Sequence, residues 1–280
     1  MHFQNLEYPG SGEQRKAPAR RRSAIRPPAL DRALGASTQP PWLAPAHSAV
    51  PLLLVGHRGH RLQHLGQPAH EPENSLAAFH RALSAGLGGL ELDIRGTLDG
   101  HLVVHHNTRL GRCSIAATRF RELRRLQPHL ATLPEVLRRY GSRCWLDLEL
   151  KAPGSEPLLV HLLRRRPPQR GFVVSSFEPS VLRRLAALEP TLPLCWNLSS
   201  RQPLRWPRVS LACVAAHERR VTAPFLRACR RRHLPVLAWT VNRPRRMRQL
   251  AALGVAGILS DHPALLAATL GAGGKTDPLN

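Results

Sequence analysis

Short apolar segments alternate with amphipathic stretches along most of this 280-residue chain, and that alternation limits the possible folds most strongly. Eight of the apolar segments are strand candidates: Leu52–Gly56, Gly89–Ile94, Cys144–Leu150, Gly171–Ser175, Leu194–Leu198, Val209–Ala215, Val236–Val241 and Gly257–Leu259. They are apolar enough to be buried on both faces, which is typical of strands in a parallel sheet. Eight strand-and-helix repeats therefore predict an α/β fold, and a (β/α)8 barrel in preference to an open sheet.

The stretches between most of these strands carry apolar residues at helical spacing. Asn74 or Ser75 could cap a first helix that runs through Ala85. Further helices are predicted over Leu133–Tyr140, Leu158–Arg165, Pro179–Leu188, Pro224–Arg232 and Arg243–Leu253. The crossover between the fifth and sixth strands, Ser199–Arg208, is too short and too interrupted by proline for a good helix.

The two ends of the chain differ from its middle. Residues 1–50 are rich in Pro, Ala, Arg and Ser without a strand or helix period, which predicts a disordered basic leader. Residues 271–280 are predicted to form a flexible tail, and 51–270 a single barrel domain. A short strand over Gly100–His105 and a helix ending near Leu126 are predicted as an insertion after the second barrel strand.

The formal net charge is +23, from 41 Lys and Arg against 18 Asp and Glu. Such a surface attracts polyanions and steers phosphate substrates, although a solvated arginine-rich surface is the simpler interpretation. Aromatic residues make up only 5% of the chain, and it contains no recognised nucleic-acid motif. We therefore expect no specific nucleic-acid partner, and at most a weak association with an anionic membrane surface.

The longest apolar run near the start, Val50–Val55, is far shorter than the roughly 20 residues of a membrane span. The basic N-terminal residues are not followed by the apolar segment of a secretory signal. The five cysteines are far apart, and no pair has the two-residue gap of a zinc or redox motif. These features predict a cytoplasmic protein with reduced thiols.

Carboxylates occur at alternate positions of the second and third strand candidates. Glu91 and Asp93 point to the same side of one strand, as do Asp147, Glu149 and Lys151 on the next. Carboxylates from neighbouring strands repel one another at the mouth of a barrel unless a cation lies between them. Oxygen ligands suit hard cations, so Glu91, Asp93 and Glu149 are predicted to bind Mg²⁺ or Ca²⁺.

Two histidines are candidates for acid and base catalysis. His57 follows the first strand, and His106 follows the short strand of the insertion. With a pKa near ~6.5, histidine can exchange protons at neutral pH, and Arg58 can hold a phosphoryl oxygen. His105 and His106 must face opposite ways on a regular strand, so only one of them can enter the site.

Motifs at the strand ends, taken in order, resemble those of the glycerophosphodiester phosphodiesterase family over roughly Leu52 to Leu270. They are H-R-G at 57–59, P-E-N-S at 72–75, E-L-D at 91–93, D-G at 99–100, H-N at 106–107, E-L-K at 149–151, S-S-F at 175–177, W-T-V-N at 239–242 and G-I-L-S-D-H-P at 257–263. The resemblance implies a TIM barrel that hydrolyses glycerophosphodiesters, intermediates of glycerol and lipid metabolism, to sn-glycerol 3-phosphate and an alcohol.

The resemblance also implies roles for individual residues. His57 and His106 would be the acid/base pair, and Glu91, Asp93 and Glu149 the metal ligands. The substrate-binding residues would be Arg58 and Lys151 on phosphate, Glu73 in the metal or substrate shell, and Trp239 as an apolar wall against glycerol. The chain departs from the family pattern at Asn107, Ser75 and Ser260, which replace an aspartate and two threonines. The long loop from Gly59 to Pro72 could be a lid or a plain surface loop.

Two alternatives remain open from the sequence. One is a lysophospholipase D-like phosphodiesterase that acts at membranes, and the other is an inactive homologue that binds polyanions through its charge. The five intact residues of the acid/base pair and metal site argue against the inactive homologue. The choice between Mg²⁺ and Ca²⁺, the preferred alcohol, the oligomeric state and the order of attack by substrate hydroxyl or water are left undetermined.

Overall fold

The structure is a computed structural model that describes residues 52–60 and 72–271. The predicted leader over 1–50 lies outside the described residues, as do all but the first residue of the predicted tail over 271–280 and most of the loop between Gly59 and Pro72. The described residues contain eleven strands: β1 Leu53–Gly56, β2 Gly89–Gly96, β3 Leu102–Val104, β4 Arg109–Leu110, β5 Cys113–Ser114, β6 Trp145–Leu150, β7 Phe172–Ser176, β8 Leu194–Leu198, β9 Cys213–His217, β10 Val236–Trp239 and β11 Gly257–Ser260.

Eight of these strands form a closed parallel barrel. The order around it is β1, β2, β6, β7, β8, β9, β10 and β11, and β1 closes the sheet by pairing with both β2 and β11. In the register between β2 and β6, Glu91 lies opposite Asp147 and Asp93 lies opposite Glu149. The predicted (β/α)8 barrel is therefore confirmed, and its register brings the carboxylates of two strands side by side.

Eight α-helices lie within the described residues: α1 Leu76–Ser84, α2 Phe120–Leu126, α3 Leu133–Tyr140, α4 Glu156–Arg165, α5 Pro179–Leu188, α6 Ala223–Arg230, α7 Pro244–Ala252 and α8 Pro263–Leu270. Ser75 caps α1 by accepting a hydrogen bond from the backbone N–H of Ala78. Thr132 and Glu135 form a reciprocal capping box at the start of α3. None of the helices in the described part of the chain is long and apolar enough to cross a membrane.

Several elements differ from the sequence prediction: β4 and β5 have no predicted counterpart, β10 ends two residues early, and the differences at β9 and α8 have a clear physical cause. The strand predicted to begin at Val209 begins at Cys213. Val209 and Leu211 lie in the loop before β9 and pack against the hydrophobic core from there, which explains why they are apolar without being in a strand. Helix α8 has no counterpart among the predicted helices, because its apolar residues do not gather on one face and give no helical period.

The predicted insertion after the second barrel strand is present. Strand β3 pairs antiparallel with the end of β2, β4 and β5 form a small hairpin, and α2 follows. A small core of its own holds the insertion together, made of Val103, Ile115, Leu123 and Leu130. Because the insertion leaves β2 at the carboxyl end of the barrel, it brings the chain after β3 to the barrel mouth.

Inward-facing side chains change from apolar to acidic along the barrel axis. Trp145 packs in an apolar cluster inside the barrel with Val55 and Leu259. Asp147 and Glu149 follow at alternate positions of the same strand, and both are buried. The apolar layer closes the bottom of the barrel, which directs the polar chemistry to the carboxyl ends of the strands.

Candidate active site

A cavity of about 240 Å³ opens at the carboxyl ends of the barrel strands. Its lining residues come from β1, β2, β6 to β11 and the insertion: His57, Arg58, Glu91, His106, Asp147, Glu149, Lys151, Phe177, Asn197, Ala215, Trp239, Thr240, Leu259 and Asp261. The structure thus brings most of the predicted site residues to one cavity.

Three buried carboxylates lie together at this cavity. One oxygen from each of Glu91, Asp93 and Glu149 lies within 4.8 Å of the other two, and the residues are 3%, 1% and 7% exposed. Burial and the neighbouring carboxylates raise the pKa of Glu91 well above its ordinary value. Its Oε1 atom has no hydrogen-bond partner among the described residues. A buried, unpartnered carboxylate oxygen beside two other carboxylates fits a hard divalent cation.

Two cations lie against the acidic cluster. Lys151 Nζ is 2.6 Å from Glu149 Oε1 and 3.2 Å from Asp93 Oδ1, and Arg58 Nε is 3.2 Å from Asp93 Oδ2. Burial alone would raise the pKa of Asp93, but Lys151 and Arg58 outweigh it and lower that pKa. The site therefore places fixed positive charge beside the carboxylates, where a phosphate oxygen could be bound.

The H-R-G and P-E-N motifs build one interlocked turn. Arg58 and Asn74 both have positive φ, 53° and 61°, and the Asn74 N–H donates to the Arg58 carbonyl at 3.0 Å. Gly59 has φ 78°, and a Cβ there would lie 2.7 Å from the backbone of Ala78. Asn74 Nδ2 donates to Asp93 Oδ2 at 2.7 Å, and the Arg58 N–H to a Glu91 oxygen at 2.8 Å. Asn74, which was not predicted as a site residue, thus positions Asp93.

Glu73 lies beside the cavity and does not line it. Its Oε1 accepts a hydrogen bond from Arg58 Nη1 at 2.8 Å, and its side chain is 28% exposed. Glu73 thus contacts Arg58 at the edge of the site, and its role in the metal or substrate shell stays a prediction.

His57 is held by residues from the last two barrel strands. Its Nδ1 lies 2.7 Å from Asp261 Oδ1, whose other oxygen accepts from Asn242 Nδ2 at 2.7 Å. Asn242 Oδ1 in turn accepts from the Asp261 N–H at 3.0 Å. Asp261 and Asn242 were absent from the predicted site, although both lie in quoted motifs, W-T-V-N and S-D-H-P. With Nδ1 bound to Asp261, the Nε2 atom of His57 is left for chemistry.

We expect Asp261→Asn to lower kcat about 10²-fold with little change in KM. The Asp261 carboxylate accepts from both His57 and Asn242, whereas an amide can accept through only one of its two atoms. The measurement is steady-state kinetics of the purified variant. A raised KM with unchanged kcat would show that Asp261 does not position His57.

His106 enters the cavity from the insertion, and His105 does not line it. Arg95 fixes the backbone here by donating from Nε and Nη2 to the His106 carbonyl, at 3.0 and 2.6 Å. His106 Nδ1 lies 3.1 Å from Asn107 Oδ1, and His105 Nε2 lies 3.2 Å from the Arg109 carbonyl. Burial lowers the pKa of His106, a shift that the charge on Asp93 opposes. The structure thus places His106 at the same cavity as His57.

Aromatic side chains form the remaining wall. Trp239 and Phe177 meet edge to face with ring centroids 5.4 Å apart, and His217 packs edge to face on Trp239 at 5.3 Å. Lys151 Nζ lies 5.6 Å from the centre of the Phe177 ring. This wall offers an apolar surface next to the cationic and acidic groups.

Asp147 lies at the floor of the cavity and is 1% exposed. Its Oδ1 accepts a 2.5 Å hydrogen bond from Ser175 Oγ, which also accepts from Asn197 Nδ2 at 3.4 Å. Burial raises the pKa of Asp147 to about 7. The hydrogen bond from Ser175 opposes this shift, and the charges on Glu149 and Asp93 add smaller upward contributions.

This raised pKa predicts a pH-dependent effect of Asp147→Asn on the metal-free protein. The Asp147 carboxyl has a higher pKa in the folded state than in the unfolded state, so its neutral form favours the fold at low pH. This contribution to stability is lost as the pH rises from about 4 towards about 7. The asparagine stays neutral, so its stability advantage should grow between pH 5 and pH 8, up to about 4 kcal/mol. Thermal melts in EDTA measure it, and an equal change at both pH values would contradict the prediction.

Comparison with known proteins agrees with this geometry. The model of the glycerophosphoryl diester phosphodiesterase family matches residues 57–265. A glycerophosphodiester phosphodiesterase of Caldanaerobacter subterraneus is 26% identical over 230 residues, which cover 73% of this chain and 95% of the relative. One from Bacillus altitudinis is 26% identical over 230 residues, covering 71% of this chain and 93% of the relative.

Solved structures share the same barrel. A phosphodiesterase of Oleispira antarctica in complex with the product sn-glycerol-3-phosphate has a TM-score of 0.66 and 25% identity, and the match covers 78% of this chain and 96% of that one. A glycerophosphodiester phosphodiesterase of Parabacteroides distasonis has a TM-score of 0.68 and 22% identity, covering 80% and 98%. From its matched family model, its barrel and its strand-end motifs, the chain belongs to the glycerophosphoryl diester phosphodiesterase family and is a phosphodiester hydrolase.

Proposed function

We propose that this enzyme hydrolyses glycerophosphodiesters to sn-glycerol 3-phosphate and an alcohol, with a divalent metal and the pair His57 and His106. The observation that carries the proposal is the acidic cluster with its unpartnered Glu91 oxygen, flanked by Arg58 and Lys151 and by both histidines in one cavity. The product named for the Oleispira antarctica relative, sn-glycerol-3-phosphate, supports the substrate class.

Glu91, Asp93 and Glu149 would hold the metal. Their carboxylate oxygens are hard ligands, which favour Mg²⁺ or Ca²⁺. When bound, such a cation supplies Lewis-acid stabilisation of charge that develops on a phosphoryl oxygen. Arg58 and Lys151 would bind the other phosphoryl oxygens, and because both side chains are already fixed by carboxylates they lose little freedom on binding.

His57 and His106 would exchange the protons of the reaction. With Nδ1 held by Asp261, His57 presents Nε2 to the cavity, where it would take a proton from the attacking oxygen. His106 lines the same cavity, and its ring would donate a proton to the departing alkoxide. The attacking oxygen is either a substrate hydroxyl, giving a cyclic phosphate first, or water.

The aromatic wall supports a place for the glycerol moiety. The rings of Trp239 and Phe177, packed edge to face, offer an apolar surface to a carbon chain. We propose that Trp239 contacts the glycerol carbons, with the phosphate between this wall and the acidic cluster.

The test is product analysis with glycerophosphocholine and glycerophosphoethanolamine. We expect sn-glycerol 3-phosphate and the free alcohol in equal amounts, because cleavage must occur on the alcohol side of the phosphorus. Release of glycerol with phosphocholine or phosphoethanolamine would contradict the assignment.

We also propose a cytoplasmic location and a weak association with anionic membranes. All five cysteines are free thiols, and four of them are buried, which suits a reducing compartment.

Leu98 and Leu126 are 60% and 58% exposed on the insertion, which also carries exposed arginines. Sedimentation with anionic and with zwitterionic vesicles tests this association with anionic membranes. Co-sedimentation with the anionic vesicles alone would support it and would also favour a lysophospholipid substrate.

A further inference from the structure

A second pocket, shallower and more open to solvent than the first, lies beside it on the insertion and the end of β2. We call it the insertion cleft, and it is lined by Arg95, His106, Asn107, Thr108, Arg109 and Gly111. His106 also lines the first cavity, so the two spaces meet at this ring. Of the predicted catalytic, metal-binding and substrate-binding residues, His106 is the one that also lines the cleft.

A phosphodiester bound at Arg58 and Lys151 has two ester substituents that must extend in different directions. The aromatic wall of Trp239 and Phe177 bounds the first cavity and, on the proposed function, takes the glycerol side. The second substituent is the departing alcohol, which must lie next to the group that protonates it. That group is His106, so the alcohol extends past His106 into the insertion cleft.

The lining of the cleft is cationic and rich in hydrogen-bonding groups. Arg95 is fixed by its two hydrogen bonds to the His106 carbonyl, and Arg109 is exposed and donates to the Arg112 carbonyl. Asn107 and Thr108 add uncharged polar side chains. Quaternary ammonium ions are bound by carboxylates and by the rings of Phe, Tyr and Trp. The lining of the cleft contains none of these groups, so it does not suit a choline alcohol. Two guanidinium groups instead match phosphate or carboxylate oxygens.

We propose that the insertion cleft binds the alcohol part of the substrate and selects alcohols that carry an anionic group, such as a phosphorylated polyol. The inference rests on the proposed function and adds the substrate subclass to it. Arg109 is the specificity-determining residue that can be tested without disturbing the reacting groups, because its side chain lines the cleft and does not line the first cavity.

The test compares the binding of three intact diesters: glycerophosphoinositol 4-phosphate, glycerophosphoinositol and glycerophosphocholine. Binding is measured by calorimetry with Mg²⁺ on the full chain carrying His57→Asn, so that the readout does not depend on hydrolysis. We expect the phosphorylated diester to bind about tenfold more tightly than the other two, the effect of one charge-assisted contact. Adding Arg109→Gln should remove most of that difference and leave the affinity for glycerophosphocholine within about twofold.

Arg112→Gln is the matched control. Arg112 is exposed, carries the same charge and lies three residues from Arg109, but its side chain does not line the cleft. Equal affinity for the three diesters, or an equal loss in Arg109→Gln and Arg112→Gln, would overturn the inference. Hydrolysis of glycerophosphocholine by the unmodified enzyme would still support the proposed function in that case, so the two failures are distinguishable.

Discussion

Replacing His57 or His106 with alanine is expected to lower kcat by about 10²–10⁴-fold, the range for losing one acid or base. His57 presents Nε2 to the cavity because Asp261 binds its Nδ1, and His106 lines the same cavity. Neither ring belongs to the hydrophobic core clusters of the described residues, so melting temperatures should change little. The measurement is steady-state release of sn-glycerol 3-phosphate.

His105→Ala is the matched control for this experiment. His105 is the neighbour of His106 in sequence and is also partly buried, but it bonds to the Arg109 carbonyl and does not line the cavity. We expect it to keep near-normal kcat. If His57→Ala and His106→Ala both kept near-normal activity as well, the two-histidine mechanism would be wrong.

Metal binding is expected to raise the melting temperature by about 5–10 °C, and Glu91→Gln should remove most of this rise. The metal-free fold holds Glu91, Asp93 and Glu149 close together and buried, so a cation relieves their repulsion. A ligand at 100 times its Kd stabilises by about 2.7 kcal/mol, and each kcal/mol shifts Tm by about 2–4 °C at this size. Thermal melts in EDTA and with added Mg²⁺ or Ca²⁺ measure the effect.

Glu91→Gln has a second expected effect, on the metal-free protein. Because the glutamine carries no charge, the variant should melt at a higher temperature in EDTA than the unmodified chain does. Glu122→Gln, at an exposed position of α2, serves as the control and should leave both melts unchanged. A full metal-induced rise in Glu91→Gln would show that the cation binds elsewhere.

The barrel and its acidic cluster could be predicted because both depend on short-range patterns. Period-two alternation places Glu91 and Asp93 on one side of a strand, and the parallel register then brings Glu149 beside them. The strand ends were harder to predict from the sequence. Strand β9 begins four residues after the predicted start, since apolar loop residues that pack on the core have the same sequence pattern as strand residues.

The support around the catalytic candidates could not be predicted from spacing. Asp261 reaches His57 across 204 positions of sequence, and only closure of the barrel between β1 and β11 brings them together. Likewise, the alternation of side chains along a strand predicted that only one of His105 and His106 enters the site. The path of the insertion after β3 places His106 at the cavity. These contacts are tertiary, whereas the motifs are local.

Metal add-back tests the central claim most directly. The enzyme is treated with EDTA, assayed with glycerophosphocholine, and assayed again after Mg²⁺ or Ca²⁺ is restored. We expect sn-glycerol 3-phosphate release to stop in EDTA, to return with one of the two cations, and not to return in Glu91→Gln. Undiminished release in EDTA, or no release under any condition from folded protein, would contradict it, and the latter would favour an inactive, charge-driven binder of polyanions.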